Sequence, residues 1–91
     1  MEMCIRADYL QTLGKAKCGE VAYRVLFWVI SESNKDLVVF ASQSDMAKEI
    51  GFSRQSVNRG MSELKKIKAV KAIGTRCYEL NKLYFLVEDT E

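Results

Sequence analysis

The stretch from Ser42 to Lys68 constrains the fold more than any other part of the chain. Ser42 precedes an amphipathic run, and Asp45 stands three residues on, where a capping-box acid belongs. The spacing predicts a helix over Gln43–Ile50, with Met46, Ala47 and Ile50 on one face. Gly51 stops it. Ser53 then caps a second helix running to about Lys68, whose apolar Val57, Met61 and Leu64, with Ile67 after, follow the i, i+4, i+7 rhythm. So abrupt a reversal needs one residue in the left-handed region, and Gly51 is the only residue nearby without a Cβ. Ala47 is small where the two helices cross, Phe52 fills the gap beneath the turn, and Val57 anchors the second helix to the first. On this reading Gly51→Val both strains the backbone and drives a branched side chain into the angle between the helices.

With those positions inside, helical geometry leaves Arg54, Gln55, Asn58 and Arg59 outside near the start of the second helix, with Ser53 and Ser56 at its N-terminus. Arginine can hold guanine in bidentate fashion, and glutamine or asparagine can hold adenine. Serine hydroxyls and the free N–H groups of a helix start suit phosphate. The segment resembles the helix-turn-helix of many bacterial regulators, in which the second helix presents its first residues to the major groove of duplex DNA. A merely solvated helix face is the alternative, and such a face would more commonly mix in acids.

Around this pair the chain alternates helix and strand signals. Arg6–Leu13 carries Tyr9, Leu10 and Leu13 at helical spacing, with Gly14 placed to end the helix. Gly19–Ser33 predicts a helix apolar nearly all round, hence central to a small core. Leu37–Phe40 reads as a strand. Val70–Ile73 and Cys77–Leu80 read as a hairpin around Gly74-Thr75-Arg76. Leu83–Val87 is apolar and fits strand or helix equally, and Glu88–Glu91 is an acidic end expected to fray. The expected fold is mainly α, of the α+β class: a winged helix-turn-helix in the order α-α-β-α-α-β-β with an apolar C-terminal tail. Residues 1–91 form one domain, with the helix pair at about 43–68 and the wing at about 70–80. Arg76 at the hairpin tip and Lys71 on its first strand are candidates for contact with an adjacent DNA backbone or minor groove, with an ordinary solvated hairpin as the alternative. Lys65, Lys66 and Lys68 fit either phosphate contact or the negative end of the helix dipole. Trp28, Tyr78, Tyr84 and Phe85 read as core.

Charge supports the same reading. The net charge of the 91 residues is only +2, but Ser53–Cys77 carries +6, against −1 for residues 1–52 and −3 for 78–91. A concentrated positive third is the footprint of a phosphate binder. The longest apolar stretch, Val21–Ile30, is broken by Arg24 and falls short of the ~20 residues a membrane span needs. The start of the chain has no signal-peptide pattern, so the expected location is cytoplasmic. There is no histidine, and Cys4, Cys18 and Cys77 are odd in number and widely spaced, so neither a zinc site nor a disulfide framework is expected. With no phosphate-binding glycine loop and no clustered carboxylates, nothing nominates an enzyme, a metal or a cofactor.

The run from Leu37 to Phe85 is also similar to the RepL family of plasmid replication proteins, and the likeness covers roughly residues 10–86. There a strand leads into the helix-turn-helix, and a lysine-rich helix end and a hairpin follow. The hairpin closes on Tyr, any residue, Leu, Asn, Pro. Tyr78-Glu79-Leu80-Asn81 fits this, with Lys82 in place of proline. The resemblance implies sequence-specific binding at a plasmid origin or promoter. A transcriptional repressor and a protein–protein interaction module are the alternatives. Such modules commonly bind paired half-sites as homodimers, here through the first helix or the apolar tail.

Overall fold

The computed structural model describes residues 2–88 of the 91. The chain runs β1 (Glu2–Ile5), α1 (Ala7–Lys15), α2 (Glu20–Glu32), β2 (Val38–Phe40), α3 (Gln43–Ile50), α4 (Arg54–Lys66), β3 (Val70–Gly74), β4 (Cys77–Leu80) and β5 (Phe85–Glu88). It is an α+β winged helix-turn-helix. A three-stranded antiparallel sheet has the order β2-β4-β3, with a bulge between Ala72 and Gly74, and β1 pairs antiparallel with β5 as a separate ribbon.

Helix α2 is the central element. It packs mainly on α4 and also on α3, burying Ala22, Val25, Leu26 and Val29 against Val57, Met61 and Leu64. The closest approach is between α2 and Gly60 of α4: a Cβ on Gly60 would lie 3.0 Å from the Ala22 backbone nitrogen. Ala47, the small residue expected where α3 and α4 cross, is buried; at the separate crossing of α2 and α4 it is Gly60, not singled out from the sequence, that lets two helix backbones nearly touch. Nor is α2 buried all round, since Phe27 is 64% exposed. Its N-terminus is capped from a distance: Glu63, the one acid in the basic third of the chain, accepts from the Gly19 N–H at 3.1 Å.

Several expected boundaries shift for local reasons. Helix α1 runs through Gly14 to Lys15, because Gly14 keeps a right-handed backbone and the chain leaves in extended form at Ala16. The Tyr23 hydroxyl donates to the Leu13 carbonyl at 2.7 Å, with the Ala16 carbonyl 3.1 Å away as the alternative acceptor for its one proton. Strand β2 starts at Val38, not Leu37, because Leu37 is left-handed (φ 63°), in a turn where the Asn34 carboxamide oxygen accepts from Asp36 and Val38 N–H. Helix α4 ends at Lys66 because Lys68 is left-handed (φ 61°) and turns the chain into β3.

The tail is a strand. Phe85 pairs with Ile5 and Glu88 with Glu2, so Glu88 closes β5, while residues 89–91 of the acidic end lie outside the described residues. Strand β1 was not anticipated from the sequence; Met3-Cys4-Ile5 is too short to show a period by itself. Phe85 and Tyr78 are fully or nearly buried, whereas Tyr84 and Trp28 pack half-buried on the edge of the core. Tyr9 joins α1 and the start of β5 to the end of α4. Its ring stacks on Tyr84 at 3.9 Å, and its hydroxyl donates to the Ile67 carbonyl at 2.9 Å. Burial, then the neighbouring Tyr84 and Cys18, pushes its pKa up to about 12. Among the described residues no helix is long and apolar enough to cross a membrane.

Candidate nucleic-acid interface

The turn between α3 and α4 is built as its residues dictate. Ser42 Oγ accepts from the Asp45 N–H, and the Asp45 carboxylate accepts from the Ser42 N–H, each at 3.1 Å. Gly51 ends α3 in the left-handed region (φ 77°, ψ 29°), and its N–H returns to the Ala47 carbonyl. Contrary to the sequence expectation, the space around Gly51 is open: a Cβ there meets nothing within 4 Å. The glycine answers to the backbone alone. Phe52 packs half-buried on the core, with the Arg24 guanidinium 5.7 Å from its ring centroid.

Helix α4 divides cleanly. Val57, Gly60, Met61 and Leu64 are buried. Arg54, Gln55, Asn58 and Arg59 are exposed on the other side, at the helix start. Among the described residues neither arginine has a carboxylate within salt-bridge reach. The first turn of α4 holds no acid, so the positive end of the helix dipole adds to two unpaired guanidinium groups. Ser53 Oγ accepts from the Ser56 N–H at 3.1 Å and donates to Ser56 Oγ at 2.9 Å, which fixes both hydroxyls at the tip.

The remaining predicted residues fall in two other places. Arg76, at the hairpin tip, reaches back to Asp45 in the first turn of α3, Nη2 to Oδ2 3.1 Å. The Asp45 carboxyl is held below the ordinary carboxylate range by its hydrogen bonds to Ser42 and then by the Arg76 charge. The wing cation is thus tied, though still 72% exposed. Lys71 is at the base of the hairpin, 3.3 Å from Glu79. It lines a cleft with Lys65 at the far end of α4 from Arg54. Lys68 and Lys82 line the same cleft. The sequence hid Lys82 because it falls in the acidic last segment; its one signal is its place directly after Asn81.

Asn81 ties these parts together. Its Nδ2 donates to the Lys68 carbonyl at 2.8 Å, its Oδ1 accepts from the Leu83 N–H at 2.9 Å, and its own N–H donates to the Ala69 carbonyl at 3.0 Å. One asparagine therefore joins the end of α4, the end of β4 and the turn into β5.

The family model for the Crp-like helix-turn-helix domain matches residues 7–87, from the first turn of α1 into β5. Neither a curated protein nor a solved structure matches the chain.

Proposed function

The chain belongs to the Crp-like helix-turn-helix domain family, a DNA-binding fold, and from that premise we propose that it binds a specific sequence of duplex DNA as a regulator. The observation that carries the reading is the exposed start of α4, where Arg54, Gln55, Asn58 and Arg59 have no salt bridge among the described residues, opposite a buried face. In this reading those four side chains meet base edges in the major groove. Ser53, Ser56 and the free N–H groups of the first turn hold a phosphate. Arg76 contacts backbone from the wing tip, exchanging part of its bond to Asp45 for a phosphate oxygen. Lys65 and Lys71 add positive charge at the other end of α4. No catalytic step is assigned. Residues 1–91 act as one domain, since α1 through β5 contribute to one hydrophobic cluster.

Two uses of the same chemistry differ only in where the DNA site lies. Control of transcription is the broader one. Control of plasmid replication is favoured by the Tyr78-Glu79-Leu80-Asn81 stretch and its likeness to RepL proteins. A protein-docking role is disfavoured by the unpaired cations on the exposed face of α4.

Selection of bound sequences from a random duplex pool tests the reading. A recurrent motif bound well above the scrambled duplex is the expected result. If that motif repeats at a plasmid origin, the replication role follows; if it lies at promoters, the transcriptional role follows. Two inverted half-sites would mark a homodimer. Equal binding of every duplex, or of none, would refute sequence-specific recognition.

A further inference from the structure

The cleft at the far end of α4 has a composition that the start of that helix does not explain. It is about 370 Å³ in volume, and Lys65, Lys68, Lys71 and Lys82 surround it against one carboxylate, Glu79. Glu79 is 15% exposed and uses both its oxygens: Oε1 lies 3.3 Å from Lys71 Nζ and Oε2 lies 3.5 Å from Lys82 Nζ. It therefore positions two ammonium groups on one side of the cleft. Among the described residues Lys65 and Lys68 have no carboxylate within salt-bridge reach. A surplus of positive charge facing a cleft attracts an anion with several acceptor oxygens.

Lysines at a helix end are commonly accounted for by the helix dipole, and Lys65 fits that account. Lys68 does not need it. It is beyond the last helical residue, in the left-handed region at φ 61°, where glycine or asparagine sits at lower cost. Asn81 holds its carbonyl in place. A strained position that keeps a long cationic side chain suggests that the side chain has work to do.

Helix α4 has 13 residues, so at ~1.5 Å per residue it is about 20 Å long. The major groove is ~12 Å wide. With the first turn on base edges, a helix longer than the groove is wide and lying across it would carry its last turn to the lip, among phosphates. We propose that the cleft of Lys65, Lys68, Lys71 and Lys82 grips a backbone phosphate of the strand bordering the groove that α4 enters. The inference rests on the DNA-binding reading above. It adds a second, sequence-independent anchor at the opposite end of the helix from Arg54.

The test uses Lys68→Gly and the double variant Lys68→Gly/Lys82→Gln in the full chain, with Arg54→Ala beside them. Binding to a random-sequence duplex and to the selected duplex is measured by anisotropy across a salt series, and melting is measured for each variant. Lys68→Gly relieves the backbone, so its melting point should equal or exceed the parent's while its affinity falls for both duplexes alike. The slope of log K against log salt should fall in Lys68→Gly and drop by about one unit, the whole of one phosphate contact, in the double variant. The preference for the selected duplex should persist. If both variants keep the parent's slope while Arg54→Ala loses preference for the selected duplex, the cleft does not hold phosphate and the recognition-helix reading stands. If the parent binds no duplex at any salt concentration, the inference and the reading beneath it both fall.

Discussion

At Gly51 the backbone takes φ 77°, and a Cβ would meet open space. Any penalty for a larger residue there is conformational. A non-glycine residue in this region costs about 1–2 kcal/mol, with asparagine the best tolerated. In a domain of this size ~1 kcal/mol moves the melting temperature by about 4–8 °C. Gly51→Asn should therefore melt nearest the parent, Gly51→Ala several degrees lower, and Gly51→Val lowest. An alanine variant that melts like the parent would show that the turn is not left-handed. Gly60 has the opposite environment. Its backbone is helical, so alanine would bring about 1 kcal/mol of helix propensity. But its Cβ would lie 3.0 and 3.1 Å from the Ala22 backbone N and Cα, and overpacking typically costs about 1–3 kcal/mol. Backbone atoms cannot swing aside, so the clash outweighs the propensity and Gly60→Ala should lower the melting temperature. A rise on thermal melting would mean that α2 and α4 are further apart than described.

Helix α4 combines a structural and a recognition task because its two faces never compete for the same residues. Val57, Met61 and Leu64 fix its rotation against α2, and that rotation decides which side chains are free. Arg54→Ala or Arg59→Ala should leave melting within a degree or two of the parent, since neither side chain makes a salt bridge among the described residues. Each should lose about 1–3 kcal/mol in binding the selected duplex if it pairs with guanine, and much less on random duplex. Full retention of affinity and selectivity by both variants, measured by competition binding, would show that α4 is not the reading element. The hairpin is organised differently. Its tip is pinned to α3 by Arg76 and Asp45, which brings the wing against the start of the helix pair.

Across the whole molecule, Tyr9 brings α1 and the start of β5 to the end of α4. Its hydroxyl donates to the Ile67 carbonyl, and its pKa is raised to about 12 by burial first and by Tyr84 and Cys18 next. An unfolded tyrosine loses its proton near 10. The stabilisation linked to Tyr9 is thus fully present below pH ~10 and fades as pH rises from there towards the folded value. Asp45 acts at the other extreme. Its lowered carboxyl pKa stabilises the fold above the ordinary carboxylate value of about 3.9, and that contribution is lost as pH falls below it. Melting followed against pH should fall on the acid side as Asp45 is protonated and on the alkaline side as Cys18, Tyr9 and Tyr23, all raised first by burial, lose their protons. Tyr9→Phe should melt lower at neutral pH, by about 1 kcal/mol for the lost hydrogen bond, and should show a shallower alkaline decline. An alkaline limb unchanged by Tyr9→Phe would place its origin elsewhere.

The amino-acid sequence by itself determined the elements whose signals are local. The capping box at Ser42 and Asp45, the stop at Gly51, the cap at Ser53 and the apolar rhythm from Val57 to Leu64 each act within one or two helical turns. They define α3 and α4 to the residue at most ends, and with them the exposed set Arg54, Gln55, Asn58 and Arg59. Only the tertiary structure decided what depends on residues distant along the chain. Strand β1 exists because β5 lies beside it; a four-residue strand has no stability or period of its own. The ambiguous tail became a strand for the same reason. Gly60 looks like an ordinary helical position until α2 is laid against it, and Glu63 looks like a stray acid until the Gly19 N–H reaches it. The basic residues 53–77 read as one patch along the chain. Folding separates them into guanidinium groups exposed at the start of α4, a tied one at the wing tip, and a lysine cleft that recruits Lys82 from the acidic segment. Sequence neighbours share charge statistics, but the electric field at a point is set by distance in space, and that distance is fixed only when the sheet and helices pack.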